Sequence, residues 1–287
     1  MCNAIFKYIF AALLVLALLL VACTEKQENN SVSPAEDLYA QAEMLIDSNP
    51  DSAMVIIDSL CRAYKSELEV VDKAITLQTI AIQKQCEIGL AWADSVIAAT
   101  EPVVNRLKPM FVSRQPKDIV EPYFIYKPIA GRELVNITAI QPRIDQIGKP
   151  YLVDLLHGVS AKHTHLIARC GGSEAATTPV APDKATNYRF SDNGTPNEMI
   201  TFHPENCEDF FKFVAANAGK DIKITFAGGK NHTIPLSKAD KEAIANTWTY
   251  ANASNQLRSA QGRKVYCTEK AKIAKKQQEL RKFKKNQ

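Results

Sequence analysis

Residues 188–203, Tyr-Arg-Phe-Ser-Asp-Asn-Gly-Thr-Pro-Asn-Glu-Met-Ile-Thr-Phe-His, contain two strand-forming runs separated by Asn193-Gly194. An Asn-Gly pair favours a tight hairpin turn because both central residues must tolerate a positive φ. The first run is residues 188–191 and the second is residues 199–203. The sequence therefore predicts an antiparallel β-hairpin at this point in the chain.

A helix and a second hairpin are predicted after the Asn-Gly turn. Clustered Phe residues favour a helix at residues 207–217, and alternating apolar residues favour a strand at residues 222–226. Residues 233–236 are the expected return strand, and Pro235 places it at a sheet edge because proline lacks an N–H group. Ser237 then opens a last helix that runs to about Leu257.

Four more strands are predicted before the first hairpin, in short runs of β-branched and aromatic residues bounded by Gly and Pro. These runs are residues 123–126, 134–140, 151–156 and 163–168. Strands and helices do not alternate regularly, so a nucleotide-binding fold is not indicated. The sequence predicts an α+β protein, with an N-terminal all-α helical bundle followed by a β-rich α+β domain.

The N-terminal part, residues 35–112, has apolar residues at spacings of three and four, which is typical of amphipathic helices. Two antiparallel helices of about 14 residues are expected to meet at Asn49-Pro50, which suits an N-cap and a first helical position. Further helices are expected at residues 69–88 and 92–107. The stretch ending Asn49-Pro50-Asp51-Ser52-Ala53 is similar to the helical hairpin of tetratricopeptide-like repeats, which implies either partner binding or a spacer role.

The start of the chain has the features of a secretory signal. Lys7 is the only charged residue among the first 22, and residues 9–21 are all apolar, a run too short for a bilayer span of about 20 residues. Leu20-Val21-Ala22-Cys23 resembles the lipobox of bacterial lipoproteins, as found in the Bacteroidota. The resemblance implies cleavage after Ala22, palmitate or other acyl chains on Cys23, and a lipid anchor in the outer membrane, facing either the periplasm or the surface.

Composition is compatible with a folded protein behind such an anchor. Hydrophobic residues make up 46% of the chain and charged residues 23%, which excludes a wholly disordered chain, a collagen and a polytopic membrane protein. The predicted organisation is a signal peptide at residues 1–22, a flexible tether at 23–34, the helical bundle at 35–112, the β-rich domain at 118–258 and a basic tail at 259–287.

Charge is unevenly distributed along the mature sequence. Residues 258–287 contain eleven Lys or Arg against two Glu, whereas residues 23–257 contain 23 basic and 29 acidic residues. The basic tail fits an anionic membrane surface, lipopolysaccharide or peptidoglycan, and it also fits a solvated end with no partner. Nucleic acid is not an expected partner because an exported lipoprotein rarely meets it.

His163-Thr164-His165 is the strongest metal candidate. Residues two apart on a strand point the same way, so both imidazoles would reach one ion, with Asp154 or His157 as a third ligand. Two histidines on a solvent-facing strand need no ligand, however, and the sequence predicts no metal site. It also predicts no cofactor and no catalytic residue, since no nucleophile elbow, zinc-protease helix or phosphate-binding loop is present.

Five cysteines remain once Cys23 is acylated, in a compartment that permits disulfides. Cys61 and Cys86 fall on neighbouring predicted helices, and Cys170 and Cys207 fall in the mixed half. Spacing does not determine which cysteines pair, and Cys267 leaves the number odd. Buried free thiols are the slightly favoured interpretation, because cysteine packs well as a small apolar residue.

Two functional hypotheses follow from the sequence. The first is a membrane-tethered, non-enzymatic envelope lipoprotein that binds another envelope protein or component. The alternative is a surface protein that binds or processes glycans, for which aromatic residues offer stacking faces and paired carboxylates would be required for hydrolysis. The candidate stacking residues are Tyr123, Tyr126, Tyr188 and Trp248.

Overall fold

The computed structural model describes residues 33–115, 121–183 and 185–285 of the chain. The predicted α+β class is confirmed, because a helical N-terminal region is followed by a region with two antiparallel sheets and two helices. The chain divides into two compact units at residues 78 and 79. The predicted signal peptide at residues 1–22, with the predicted cleavage residue Ala22, and the predicted lipidation site Cys23 lie outside the described residues.

In its described part, residues 33–78, the first unit contains two short helices and the beginning of a third. Helix α1 is Pro34–Leu45, helix α2 is Pro50–Ala63 and helix α3 is Leu68–Leu107. The predicted start of α2 is confirmed, since the Asn49 side chain accepts a hydrogen bond of 3.1 Å from the N–H of Ser52 and Pro50 is the first helical residue. Its buried face includes Ala53, Ile57 and Leu60.

Helix α3 is one continuous helix of 40 residues, so the expectation of two helices at residues 69–88 and 92–107 is wrong. The connecting residues Gly89, Leu90 and Ala91 contain no proline and no capping side chain, and one internal glycine is tolerated at a cost of about 1 kcal/mol. Pro102 also lies inside the helix and does not end it. The boundary between the two compact units therefore falls within α3.

The described residues of the second unit form ten strands in two antiparallel sheets. Sheet A has the strand order β1-β2-β3-β4-β8-β7, and sheet B has the order β10-β9-β5-β6. The strands are β1 Phe111–Arg114, β2 Tyr123–Tyr126, β3 Ala139–Ile144, β4 Pro150–His157, β5 His163–Cys170, β6 Ser173–Ala176, β7 Asn187–Asp192, β8 Thr195–Phe202, β9 Lys223–Gly228 and β10 His232–Pro235.

The hairpin around Asn193-Gly194 is confirmed, with φ values of 48° and 80° at these two residues and an antiparallel register between β7 and β8. The second hairpin is also confirmed, and β10 with Pro235 lies at an edge of sheet B.

Strand β3 lies further along the chain than the predicted run at 134–140. Strands β1 and β6 were not predicted, because each has only four residues and lies beside Pro or Gly punctuation.

Two helices complete the second unit. Helix α4 is Pro204–Ala216 and helix α5 is Lys238–Lys285. The predicted cap of α5 is confirmed, since the N–H of Asp240 donates to Oγ of Ser237 over 3.1 Å. The helix does not end near Leu257 but continues through residues 259–285, where Ala, Lys, Gln, Glu and Arg favour helix and no proline interrupts it. The predicted basic tail is thus the second half of a helix about 70 Å long.

One apolar core joins both sheets to helices α4 and α5. It contains residues of β3, β4 and β8 from sheet A, of β5 and β9 from sheet B, and of helices α4 and α5. Its largest fully buried side chains include Phe202, Phe210, Phe211 and Phe226. A second cluster packs Leu107 of α3 and Phe111 of β1 against α5. This packing explains why residues 107–111, predicted to end the helical bundle, belong to the β-rich unit.

Candidate functional site

Three buried ionisable side chains meet between the two sheets. His163, at the start of β5 in sheet B, lies between Asp154 of β4 and Glu198 of β8, both in sheet A. Nδ1 of His163 is 2.6 Å from Oε2 of Glu198, and Nε2 is 3.1 and 3.2 Å from the two carboxylate oxygens of Asp154. We call Asp154, His163 and Glu198 the ionic cluster.

Backbone groups and one arginine complete the ionic cluster. The N–H of Ile200 donates to Asp154 over 3.0 Å, while Glu198 accepts from the N–H groups of Lys162 at 2.6 Å and His163 at 2.9 Å. Lys162 has a φ of 53°, so Glu198 holds the backbone where it enters β5 in a left-handed conformation. Nε of Arg189 is 3.8 Å from Glu198. Every ionised member of the cluster therefore has a partner.

Burial and hydrogen bonding act in opposite directions on the three pKa values. Burial raises the pKa of Asp154, and its contacts with His163 and Ile200 only partly oppose this. Burial also disfavours charge on His163 and Glu198. At His163 the interactions with Asp154 and then Glu198 outweigh burial and raise the pKa. At Glu198 the hydrogen bonds from the His163 side chain and from the N–H groups of His163 and Lys162 outweigh burial and lower the pKa. The arrangement favours a protonated imidazole paired with ionised Glu198.

A histidine between two carboxylates is chemically suited to proton transfer, but this one has no route to a substrate. Asp154 and His163 are fully buried and Glu198 is 1% exposed. The ring of His163 also meets that of Phe226 edge-on, with centroids 5.3 Å apart. A general acid or base must come within hydrogen-bonding distance of its substrate, so the geometry supports a structural role that joins sheet A to sheet B.

The predicted metal pair does not have the expected geometry. The pairing of β5 with β9 is irregular between His163 and His165, which interrupts the alternation of side chains along the strand. His163 consequently faces the core with Leu166, whereas His165 is half-buried and its Nδ1 is 3.1 Å from Oγ1 of Thr164. Both ring nitrogens of His163 already face carboxylates. Asp154, expected as a third metal ligand, therefore contacts His163 as an ionic partner instead.

His157, the other proposed third ligand, contacts a different side chain. Its Nδ1 is 2.9 Å from Oδ1 of Asn197, and its backbone N–H donates to Oγ1 of Thr138 over 3.1 Å. Among the described residues, no group of three or more His, Cys, Asp or Glu side chains is arranged to hold a metal ion.

A cleft of about 330 Å³ opens between the β3–β4 turn, the first turn of α4 and the middle of α5. Its lining combines an indole, two carboxylates, two amides and a lysine, from Trp248, Glu205, Glu208, Asn252, Asn255 and Lys149. Asn255 is held in place because its Nδ2 donates to the carbonyl oxygen of Gly148 over 2.8 Å. Trp248 stacks on Phe211 with centroids 6.1 Å apart. We call this site the Trp248 cleft.

The other aromatic residues considered for sugar stacking occupy different environments. Tyr123 and Tyr126 are buried in the cluster around Phe111, so the expectation that they offer stacking faces is wrong. Tyr188 lies on β7, an edge strand of sheet A, and stacks on Phe190 with centroids 5.7 Å apart. Trp248 lines the cleft described above.

Helices α3 and α5 lie side by side and antiparallel within the second unit. Nε2 of Gln83 donates to Oε1 of Gln278 over 3.0 Å, and Nζ of Lys264 lies 2.7 Å from Asp94. On α5 four small buried residues recur every seven positions, a spacing typical of a coiled-coil contact. We call them the α5 seam: Ala253, Ala260, Cys267 and Ala274.

A second set of residues lies on the side of α5 that faces away from the seam. Five large hydrophobic side chains there are each more than half exposed, which is unusual for one helix of a folded protein. Exposed lysines, among them Lys272, Lys276 and Lys282, lie beside them. We call the five residues the α5 stripe: Val265, Tyr266, Ile273, Leu280 and Phe283.

The cysteines after Cys23 are free thiols with different surroundings. Burial raises the pKa of Cys207 to about 12, and its Sγ contacts the carbonyl oxygens of Phe202 and His203 in the core. Cys170 and Cys61 are half-buried. Cys86 on α3 and Cys267 in the α5 seam are both buried, and burial together with the neighbouring Cys267 raises the pKa of Cys86. The structure thus brings together a cysteine pair that the sequence did not indicate.

Glu198 is the member of the ionic cluster that the sequence analysis did not single out. It shares the alternating inward positions of β8 with Ile200 and Phe202. The predicted run began at residue 199, one residue after Glu198, so the sequence analysis did not place this carboxylate in the core, where a buried charge requires a partner.

Within the described residues, no helix has both the length and the apolar character needed to span a membrane. The chain is an α+β protein with a helical N-terminal unit and a second unit in which a buried ionic cluster joins the two sheets. No family model, no curated protein and no solved structure matches it.

Proposed function

We propose that this chain is a membrane-tethered, non-enzymatic envelope lipoprotein whose helix α5 binds an anionic lipid surface. The α5 stripe is the observation that carries the proposal, since it presents five exposed large apolar side chains on a helix segment with eleven basic and two acidic residues. Interfacial helices combine an apolar stripe with flanking Lys and Arg in this way.

Charge favours a lipid surface over a second copy of the chain as the occupant of the stripe. Two identical stripes would bring together two strongly basic segments, which repel each other. An anionic lipid surface attracts the same lysines, at about 1 kcal/mol for each Lys or Arg near the surface. Acyl chains on Cys23 would supply the permanent anchor, and α5 would add a second contact with the membrane.

Two features of the interior support a non-enzymatic role. The most strongly coupled ionisable groups, those of the ionic cluster, are fully enclosed in the core and satisfy one another. The buried thiol of Cys207 contacts backbone carbonyls and has a raised pKa, which is opposite to what a nucleophilic cysteine requires.

Vesicle binding tests the proposal with the processed chain, residues 23–287, carrying Cys23→Ala so that no acyl anchor contributes. We expect it to co-sediment with vesicles containing phosphatidylglycerol, to bind phosphatidylcholine vesicles weakly, and to lose affinity in high salt. Combining Ile273→Glu with Leu280→Glu should reduce vesicle affinity at least tenfold, because each buried apolar side chain contributes about 1.5–3 kcal/mol.

The matched control is Met44→Glu with Val55→Glu, which changes two exposed apolar residues of α1 and α2 and should leave vesicle binding intact. Equal binding by both double variants, or a concentration-dependent dimer that Ile273→Glu abolishes, would overturn the lipid assignment. The anchor is tested with the full chain, residues 1–287, expressed in cells, where an alkyne fatty acid should label the chain with Cys23 and not the Cys23→Ala variant.

Glycan binding is the second candidate, and the Trp248 cleft is the specific observation in its favour. An indole face combined with amides and carboxylates is suited to stacking and hydrogen bonding of a sugar.

Fluorescence tests this candidate. The chain has two tryptophans, so Trp92→Phe makes Trp248 the only indole. We expect oligosaccharides from peptidoglycan to shift its fluorescence at saturable concentrations, and Asn252→Ala to weaken the effect. An unchanged spectrum across envelope polysaccharides would remove this candidate.

A further inference from the structure

Two cysteine side chains lie next to each other where α3 and α5 pack in antiparallel orientation. Cys86 is 3% exposed on α3 and Cys267 is 2% exposed in the α5 seam. Sγ of Cys267 lies 2.6 Å from the position of a Cβ added at Gly89, one helical turn from Cys86. Cys267 is also among the groups that raise the pKa of Cys86, as expected for a close neighbour. Thiol contact in a packed interior is the first geometric requirement for a disulfide, because two cysteines whose side chains point apart cannot be bridged.

Gly89 allows this contact. It lies one helical turn after Cys86, and a Cβ added there would be 2.6 Å from Sγ of Cys267 and 3.1 Å from Nε of Arg263. Any side chain at position 89 would therefore push Cys267 away from α3. The absence of a side chain at Gly89 and the small residues Ala260 and Ala274 of the seam allow the two helices to approach closely at the cysteines.

We propose that Cys86 and Cys267 form an intramolecular disulfide that cross-links α3 to α5. The other described cysteines have different environments, since Cys207 is enclosed among backbone carbonyls and Cys61 and Cys170 are half-buried. In cells the reaction rests on the proposed export, which places the chain in an oxidising compartment. In vitro it requires only an added disulfide oxidant.

The reaction is a two-step thiol–disulfide exchange. The thiolate of Cys86 attacks one sulfur of an oxidant disulfide, either that of a thiol oxidase or oxidised glutathione, and releases the other sulfur as a thiol. The thiolate of Cys267 then attacks the sulfur of Cys86 and releases the second oxidant thiol. Two protein thiols lose two electrons and two protons in total, and the oxidant disulfide is reduced to two thiols.

The finished fold disfavours the thiolate that starts this exchange. Burial and the neighbouring Cys267 raise the pKa of Cys86, and Lys270 and Arg263 oppose this only partly. We therefore expect the bond to form while the helices are docking, before the thiols are enclosed. Once formed, it fixes the part of α5 that carries the α5 stripe against α3, because Cys267 lies between Tyr266 and Ile273.

Peptide mapping of the full chain tests the pairing. Trypsin is expected to release Cys86 in residues 85–106 and Cys267 in residues 265–270. After free thiols are blocked and without reduction, these two peptides should appear as one cross-linked species. The chain purified from the cell envelope and the chain refolded with oxidised glutathione should both contain it, and the second sample does not depend on export.

Variants separate the cross-link from general effects on the fold. The oxidised chain should melt about 5–10 °C above the reduced chain, because the bond closes a very long loop. Cys86→Ala and Cys267→Ala should each abolish this difference between oxidised and reduced samples, whereas the control Cys170→Ala should keep it.

The proposal would be overturned if Cys86 and Cys267 were blocked and unlinked in the glutathione-refolded chain, or if either were cross-linked to another cysteine. A cross-link in the refolded chain alone would uphold the pairing and argue against export.

Discussion

Replacing His163 with alanine is expected to lower the free energy of unfolding by about 3–5 kcal/mol, because removing one partner of a buried ion pair leaves charge uncompensated. The substitution takes the imidazole away from Asp154 and Glu198 at once, and neither carboxylate reaches water. Urea unfolding of the processed chain, followed by circular dichroism, measures the change. The expected loss is a large fraction of the stability of an ordinary domain.

His165→Ala is the matched control for this measurement. His165 lies on the same strand two residues away, is half-buried, and contacts only the hydroxyl of its neighbour Thr164 among the contacts described above. Its replacement should change the free energy of unfolding by less than about 1 kcal/mol. Comparable losses in the two variants would contradict the assignment of the ionic cluster as the contact between the sheets.

The pH dependence of stability follows from the same groups. The pKa of His163 is raised above its ordinary 6.5, so its contribution is fully present below that pH and is lost as pH rises through the folded value. The pKa of Glu198 is lowered from 4.5, so its contribution is present above that pH and is lost on acidification. The raised pKa of Asp154 adds a further loss of stability as that carboxyl ionises.

Stability should therefore be greatest in mildly acidic solution, between about pH 4.5 and 6.5, and should fall as the pH rises above 6.5 and His163 loses its proton. His163→Ala should lose the alkaline part of this dependence and His165→Ala should retain it. The same alkaline slope in His163→Ala would assign the titration to another group.

The sequence predicted elements well where local chemistry decides the outcome. The turn at Asn193-Gly194, the cap at Asn49-Pro50 and the edge position of Pro235 each follow from what a few neighbouring residues permit. Helix ends without such signals were placed wrongly. Nothing in residues 89–91 or after Leu257 ends a helix, and continuous packing between α3 and α5 favours one long helix in each case.

The ionic cluster was predicted in part, and for the wrong chemistry. Asp154 and His163 were both named, but as metal ligands, because the rule that residues two apart share a face assumes a regular strand. The irregular pairing with β9 breaks that rule between His163 and His165. Glu198 comes from a strand 35 residues away, and only the three-dimensional pairing of β4 with β8 places it beside Asp154.

Gly228→Ala is expected to destabilise the chain by about 2–4 kcal/mol, because a side chain at this position meets backbone that has no room to move. A Cβ at Gly228 would lie 2.3 Å from the carbonyl oxygen of Lys162 and 2.7 Å from Cα of His163. These atoms lie where the backbone enters β5, and Glu198 accepts hydrogen bonds from the N–H groups of both residues. Urea unfolding should therefore show a lower free energy of unfolding, because the β5–β9 contact is lost and the ionic cluster is strained.

Gly219→Ala is the control for Gly228→Ala, since no atom lies within 4 Å of a Cβ added there and the backbone does not require a positive φ. It should leave the unfolding midpoint unchanged or raise it slightly, because alanine restricts the unfolded chain. If Gly228→Ala acts through the ionic cluster, combining it with His163→Ala should destabilise the chain by less than the sum of the single changes. Full additivity would mean that the close approach of β9 and the position of His163 are independent, and that the cluster is held by Glu198 alone.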